Sequence, residues 1–537
     1  MAARSRSPLA FVADLAPGER AFTGLMLAYF FLVTTTFWIL KPLKKALFIQ
    51  FYDADGLDLF SWHLPAAEAE LVAKFLNMLV AIVAMVVFAT LARRLRRERL
   101  SVVLTAAFIV AFTLYALVLD RPRDAAVWSF YLVGDLFSTV MVAAFFAFLN
   151  DTVSPAAAKR LYGPIGFGGV AGGVFGAMVL STFIERLSAG AWLWICAGLG
   201  GVVALVALGA GRAARGLPAS SRTRETKAEE PRGGGRNPAI EGAALVLRSR
   251  YLLCIVAIVG LYEIVSTVMD FQFTSTVAAH LQGDAIGAHM SRVFAITNVV
   301  SLLVQLFVTG FVMSRLGVGV ALLVLPVTAL AASITFLVRP SLWTGSLLNT
   351  ADNGFNYSIN QSAKEALYVP TSPTEKYQAK AFIDMFVQRF AKTAGIAASL
   401  GMSHWFHDQG SIRWLSLVSI AVIAVWVLAA RNAGRAFEER GGSGRPSEGE
   451  DEPGAAPPRR DAEARRQRRG RALEALLVLR EVVVRLPRVR EDHRLADRDP
   501  VSGRAPAAGR VVEPVGDDGG TGHVQPDVPR MSLPVPA

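Results

Sequence analysis

Stretches of about 20 mostly apolar residues, the length a helix needs to cross the ~30 Å hydrocarbon layer of a bilayer, recur along this chain between short polar segments. Twelve can be drawn: near residues 22–42, 70–92, 101–119, 126–149, 162–184 and 188–210, then near 250–271, 290–314, 317–338, 341–360, 379–401 and 411–430. Each predicts a transmembrane helix, because in lipid only a helix or a closed barrel satisfies its own backbone. Between the sixth and seventh lies 211–246, where Arg212, Arg215, Arg222, Arg224, Lys227, Arg232 and Arg236 stand among Gly, Pro, Ser and Glu. That composition predicts a flexible linker. Beyond 432 the pattern is lost. Residues 433–537 are rich in Arg, Pro and Gly, predict disorder, and hold one apolar stretch, Ala472 to Val484, that is too short to span.

The chain therefore divides into 1–210, 211–246, 247–432 and 433–537, an all-α membrane protein of about twelve helices in two six-helix bundles. Six spans, a linker and six spans are similar to the layout of major facilitator transporters. Composition agrees: 53% of residues are hydrophobic, 18% are charged and the mean hydropathy is +0.41, too apolar for a soluble protein of this length. Most of the +12 net charge lies in the membrane part, so no nucleic-acid partner is expected. The densest basic cluster, Arg93-Arg94-Leu95-Arg96-Arg97-Glu98-Arg99, follows the second span. By the positive-inside rule it places both termini in the cytoplasm, for a multi-pass protein of the cell inner membrane. The first apolar run is long enough to span, so no cleaved signal peptide is expected. Cys196 and Cys254 lack ligand spacing, and no nucleophile has a base beside it. Neither metal, cofactor nor enzymatic activity is expected.

Ionisable residues inside spans are costly and mark solute or ion paths. Lys41, Lys44 and Lys45, at the expected end of the first span, share one helical face. They attract a polyanion or snorkel to headgroups. Asp135 interrupts the apolar fourth span and needs a partner or a proton. In the seventh span Glu263 and Asp270 lie two turns apart, with Ser266 and Thr267 between them. The eleventh carries Asp384, Gln388 and Lys392 along one face, beside Arg389. The segment before it, from Asn360 through Lys364, Glu365 and Pro370, reads as a solvated loop or a gate. Gly166-x-Gly168-x-x-Ala171 matches the dinucleotide fingerprint, but no strand precedes it. Gly168, Gly172 and Gly176 recur every four residues, which predicts close helix packing. Asp53-x-Asp55-Gly56-x-Asp58 lacks the full calcium-loop pattern and reads as a polar outer loop.

Several of these segments resemble the nucleotide transporter family, the ATP/ADP translocases of plastids and intracellular bacteria. The resemblance covers roughly 20–430 and is most specific from Asn360 to Gly395. There Lys364-Glu365-Ala366-Leu367-Tyr368-Val369-Pro370, Lys376, Lys380-Ala381, Ile383-Asp384 and Lys392 follow the family's Lys-Glu-Met-Ala-Tyr-Ile-Pro and its sequel. Phe130-Tyr131 through Asp135-Leu136, and Asn150 through Ala158-Lys159-Arg160-Leu161-Tyr162, agree as well. The resemblance implies adenine nucleotide exchange, with the family's functional lysine of the first span at Lys44 and its acid of the fourth at Asp135. It departs at Lys41-Pro42-Leu43-Lys44-Lys45, where the family has Arg-Asp-x-Lys-Asp, and at Thr267, where it has an acid. The expected partners are membrane lipid and a nucleotide or other anionic small molecule, held by Lys41, Lys44, Asp135, Glu263, Lys364, Asp384, Arg389 and Lys392. The residues leave open a proton-coupled transporter of another solute, with Asp135 or Glu263 as the proton site, and a non-transporting sensor or scaffold. Oligomeric state is also open.

Overall fold

A computed structural model describes residues 17–442 apart from 60–61, 120, 219, 222–237, 372–378, 381 and 406–408. The expected disorder of the tail beyond 442, most of the linker, and Lys376 lie outside the described residues. In chain order the helices are α1 (Pro17–Phe51), α2 (Ala66–Arg94), α3 (Arg97–Val118), α4 (Asp124–Thr152), α5 (Pro155–Phe183) and α6 (Ala189–Arg215). A short α7 (Pro238–Arg248) leads into α8 (Arg250–His280), α9 (Asp284–Leu303), α10 (Val318–Val338), α11 (Leu342–Phe355), α12 (Gln361–Leu367), α13 (Gln388–Trp405) and α14 (Leu415–Gly442). Wide π-helical turns continue α9, join α11 to α12 at Asn356–Asn360, and precede α13 at Ile383–Val387.

Local chemistry sets the boundaries. Ser154 caps α5 by accepting from Ala157 N at 3.4 Å ahead of Pro155, and Ser341 and Thr344 form a reciprocal capping box on α11. Ten helices among the described residues are long and apolar enough to cross a membrane. Rows of exposed apolar side chains, such as Val83, Val86 and Val87 on α2 or Leu306 and Phe307 beyond α9, need lipid as their solvent. The chain is a multi-pass membrane protein. The expected spans 341–360 and 379–401 are also helical over their described parts, but α11 carries Asn349, Asp352 and Asn353 and is less apolar.

Four expectations change. The first span does not end at Pro42; α1 runs to Phe51, because a proline removes a single backbone donor and neighbouring helices hold the turn. Lys44 and Lys45 are thus buried within a helix, at 4% and 5% exposure, and do not snorkel. Residues 361–367 are helix, not loop. The last span extends through 433–442, which the sequence had placed in the tail. The fold is also not purely α: Leu57–Leu59 (β1) pairs antiparallel with Trp62–Leu64 (β2) in a hairpin between α1 and α2.

α1 is the central packing element. Its contact with α5 is a glycine ladder in which an added Cβ would lie 2.5 Å from Leu27 O at Gly168 and 2.5 Å from Thr35 O at Gly176, and would collide with Phe31 O at Gly172. The i+4 glycines of α5 therefore face the i+4 carbonyls of α1, the packing expected from the sequence. One apolar core draws on α1 and α3–α6 and a second on α7, α8, α10–α12, α14 and the π-turns between them. A third joins Trp38, Phe48 and Tyr131 to Phe273, Met290 and Phe294. Contacts between first-half and second-half helices gather at the hairpin end: Gln50 Nε2 donates to Gly283 O at 2.8 Å, Arg292 pairs with Glu185 at 2.9 Å, Ser403 bonds Glu68, and Trp62 stacks on His404.

Candidate functional site

Burying a charge is expensive unless it is paired, so the buried lysines of α1 identify their surroundings. Lys44 forms an ion pair with Asp135 of α4 and lies 4.1 Å from the centre of the Tyr131 ring. Lys45 lies 2.8 Å from Asp270 of α8 and 3.5 Å from Glu70 of α2. Lys74, one turn along α2, pairs with Glu70 at 3.0 Å and also with Asp270. Glu70 accepts from the Tyr131 hydroxyl at 2.9 Å, and Asp135 from Asn77 Nδ2 at 2.7 Å. Four helices from both halves of the chain therefore meet in one ionic network.

This network walls a cavity of about 290 Å³ whose lining holds five lysines (41, 44, 45, 74 and 392) and five carboxylates (Glu70, Asp135, Glu263, Asp270 and Asp352). Lys41 makes no carboxylate pair among the described residues. Its ammonium donates to the Tyr357 hydroxyl at 3.2 Å and sits 4.8 and 5.1 Å from the rings of Trp38 and Phe294, a cation–π setting. The π-turn after α11 is what turns Asn356 and Tyr357 onto the wall. A larger cavity, about 650 Å³, lies beneath the hairpin, but no lysine or arginine stands among its described lining residues. It has nothing to hold a polyanion. At 290 Å³ the lysine-lined cavity is at the lower end of small-molecule sites.

Of the eight residues singled out in the sequence, Lys41, Lys44, Asp135, Glu263 and Lys392 line this cavity. Glu263 is within electrostatic reach of Lys392 and Lys364. The other three lie beside it: Lys364 packs over the Tyr262 ring at 5.4 Å, Asp384 is exposed and accepts from Gln388 at 3.4 Å, and Arg389 donates to Met78 O at 3.0 Å, tying α13 to α2. Asp270 and Lys45, noted in the sequence without a place in the site, are central to it. Glu70, Lys74 and Asp352 were missed. Glu70 and Lys74 carry a legible signal, an i,i+4 ion pair inside an apolar run, which their position near the start of the expected span concealed.

Chemically, the arrangement offers several ammonium groups with neutralising partners that an incoming anion can replace. Phosphate oxygens form charge-assisted hydrogen bonds with lysine of the same kind as the carboxylates do.

Comparison with known proteins follows the same line. Residues 19–382 match the Major Facilitator Superfamily, and residues 339–437 match the TLC ATP/ADP transporter family. The chain is 22% identical over 480 residues to ADP,ATP carrier protein 1 of Chlamydia trachomatis serovar D, covering 77% of this chain and 88% of that protein. To ADP,ATP carrier protein 2 of Chlamydia pneumoniae it is 25% identical, over 36% of this chain and 40% of the relative, so that match spans less than half of the carrier's length. ADP,ATP carrier protein 1, chloroplastic, of Arabidopsis thaliana is 21% identical over 57% of this chain and 54% of its own. In fold the chain is similar to a mutant of the nucleoside transporter NupG, with TM-score 0.52 and 15% identity over 76% of this chain and 99% of that one. It is also similar to a bacterial homologue of the lysosomal transporter Spinster, in an inward-facing conformation, with TM-score 0.50 and 12% identity over 78% and 98%. Since the superfamily match extends over more than half of its length, the chain belongs to the Major Facilitator Superfamily.

Proposed function

We propose that the protein exchanges ATP and ADP across the membrane by alternating access, two six-helix bundles, 1–210 and 247–432, rocking about the lysine-lined cavity. One observation carries this reading: Lys44, Lys45 and Lys74 stand on a cavity wall in ion-pair contact with Asp135, Glu70 and Asp270. The names of the matched carriers supply the substrate class. The nucleotide's phosphates take the places of the carboxylates on Lys44 and Lys45 and pair with Lys41, and Lys392 holds the other end through Glu263. When substrate leaves, the carboxylates return. The pairs Lys45–Asp270 and Lys74–Asp270 that then re-form tie first-half helices to a second-half helix and oppose reorientation of the empty carrier, and this favours exchange over one-way transport. With the termini on the cytoplasmic side, the hairpin end faces outward, and the contacts gathered there hold the outer side closed. Lys364 and Asp384 then stand toward the cytoplasmic mouth, and Arg389 keeps α2 and α13 together.

Purified protein tests this directly, since a ligand of the folded state raises its melting temperature with concentration. ATP and ADP should each produce a saturable rise that AMP and inorganic phosphate do not match. Lys44→Ala should weaken apparent affinity about ten- to hundredfold, the worth of one charge-assisted hydrogen bond. Unchanged affinity in that variant removes Lys44 from the site.

A further inference from the structure

One buried acid of the cavity plays no part in the ionic network. Asp352 of α11 is 3% exposed, accepts from Ser266 Oγ at 2.6 Å and forms no ion pair among the described residues. The ionisable groups that face it are Lys41 from α1 and Tyr262, Glu263 and Asp270 from α8. α10, which also packs against α11, contains no ionisable residue. α9 presents Thr297, 3.3 Å from Thr350, and nearer the hairpin end His289, whose Nε2 lies 2.8 Å from Ser346 Oγ, with Arg292 one turn further on.

Asp352 also ends a polar line. Ser346, Asn349 and Asp352 follow at three-residue steps on one side of α11. Asn349 is 1% exposed, and neither its Oδ1 nor its Nδ2 has a hydrogen-bond partner among the described residues. An unsatisfied buried amide and an unpaired buried acid are both costly at membrane depth. Together they lead from His289, at the hairpin end, to the cavity.

We propose that Asp352 is a proton site: it takes up one proton when a nucleoside triphosphate fills the cavity and gives it up when a diphosphate does, with the Ser346–Asn349 line as its route. The proposal rests on the nucleotide reading above. The triphosphate brings one more negative charge to a cavity whose lysines and carboxylates are already balanced in number. An acid with no ion-pair partner among the described residues is the group most readily neutralised there, since added negative charge favours its protonated form. ATP⁴⁻ with H⁺ then exchanges for ADP³⁻, and no net charge crosses the membrane.

The test uses the full chain in proteoliposomes loaded with ADP and a pH-sensitive dye, with the membrane potential clamped. In the wild type, external ATP should acidify the lumen by one proton per ATP, an acid exterior should accelerate entry severalfold, and a potential of either sign should not. Asp352→Asn, fixed in the neutral form, should abolish the proton signal, make ATP/ADP exchange sensitive to potential, and raise the ratio of ATP/ATP to ADP/ADP exchange at least tenfold. Asp352→Glu should keep the proton signal. Exchange by the wild type that follows the potential and moves no proton overturns the proton site alone, as does an intact proton signal in Asp352→Asn. A wild type that moves neither nucleotide overturns the nucleotide reading and this proposal with it.

Discussion

Replacing Lys45 with alanine is expected to lower nucleotide exchange at least ~100-fold and to destabilise the protein by about 3–5 kcal/mol, the loss typical of a broken buried ion pair. The side chain bridges Asp270 and Glu70, and without it Lys74 alone faces two carboxylates. A second substitution separates the two effects. In Lys45→Ala combined with Asp270→Asn, the excess negative charge is gone, so melting temperature should recover most of its loss. Exchange should not recover, because the ammonium that holds phosphate is still missing. Recovery of both would make Lys45 a purely structural group.

The second large effect belongs to the α1–α5 contact. Gly172→Val is expected to prevent folding or to destabilise the protein by about 4 kcal/mol or more, the range reserved for severe core faults. The new Cβ collides with the Phe31 carbonyl and the Thr34 hydroxyl, and the helix backbone cannot move aside without opening the rest of the ladder. Gly24→Ala supplies the control: it lies in the same α1, nothing stands within 4 Å of its added Cβ, and alanine is the better helix former. Size-exclusion chromatography in detergent should show a monodisperse peak for Gly24→Ala and aggregate or no protein for Gly172→Val. A well-folded Gly172→Val would mean that α1 and α5 are not packed as described.

The ladder was legible in the sequence because small residues at four-residue spacing have few uses in an apolar run. The spans were legible for a similar reason: apolar runs of this length have one common outcome. The end of the first span was not, since Pro42 and three lysines look like a helix terminus when considered alone. Only the carboxylates of α2, α4 and α8 make a continued helix affordable at Lys44 and Lys45. The hairpin escaped because its three-residue strands carry no periodic signal of their own. In the site, Lys44 and Asp135 were found by searching for charges within spans, yet their direct pairing, 91 positions apart in sequence, depends on how α1 and α4 pack. Asp352 lies in an expected span and answers to the same search. What the sequence could not supply is that it forms no ion pair among the described residues, which is a property of its neighbours.

The central claim is exchange, and one measurement addresses it: uptake of radiolabelled ATP into proteoliposomes containing ADP, inorganic phosphate, AMP or buffer alone. The account predicts rapid uptake with ADP inside, slow or no uptake with the other three, and release of one ADP for each ATP that enters. Equal uptake under all four conditions would contradict it, because a carrier tied by the ion pairs of Asp270 with Lys45 and Lys74 should not return without a nucleotide.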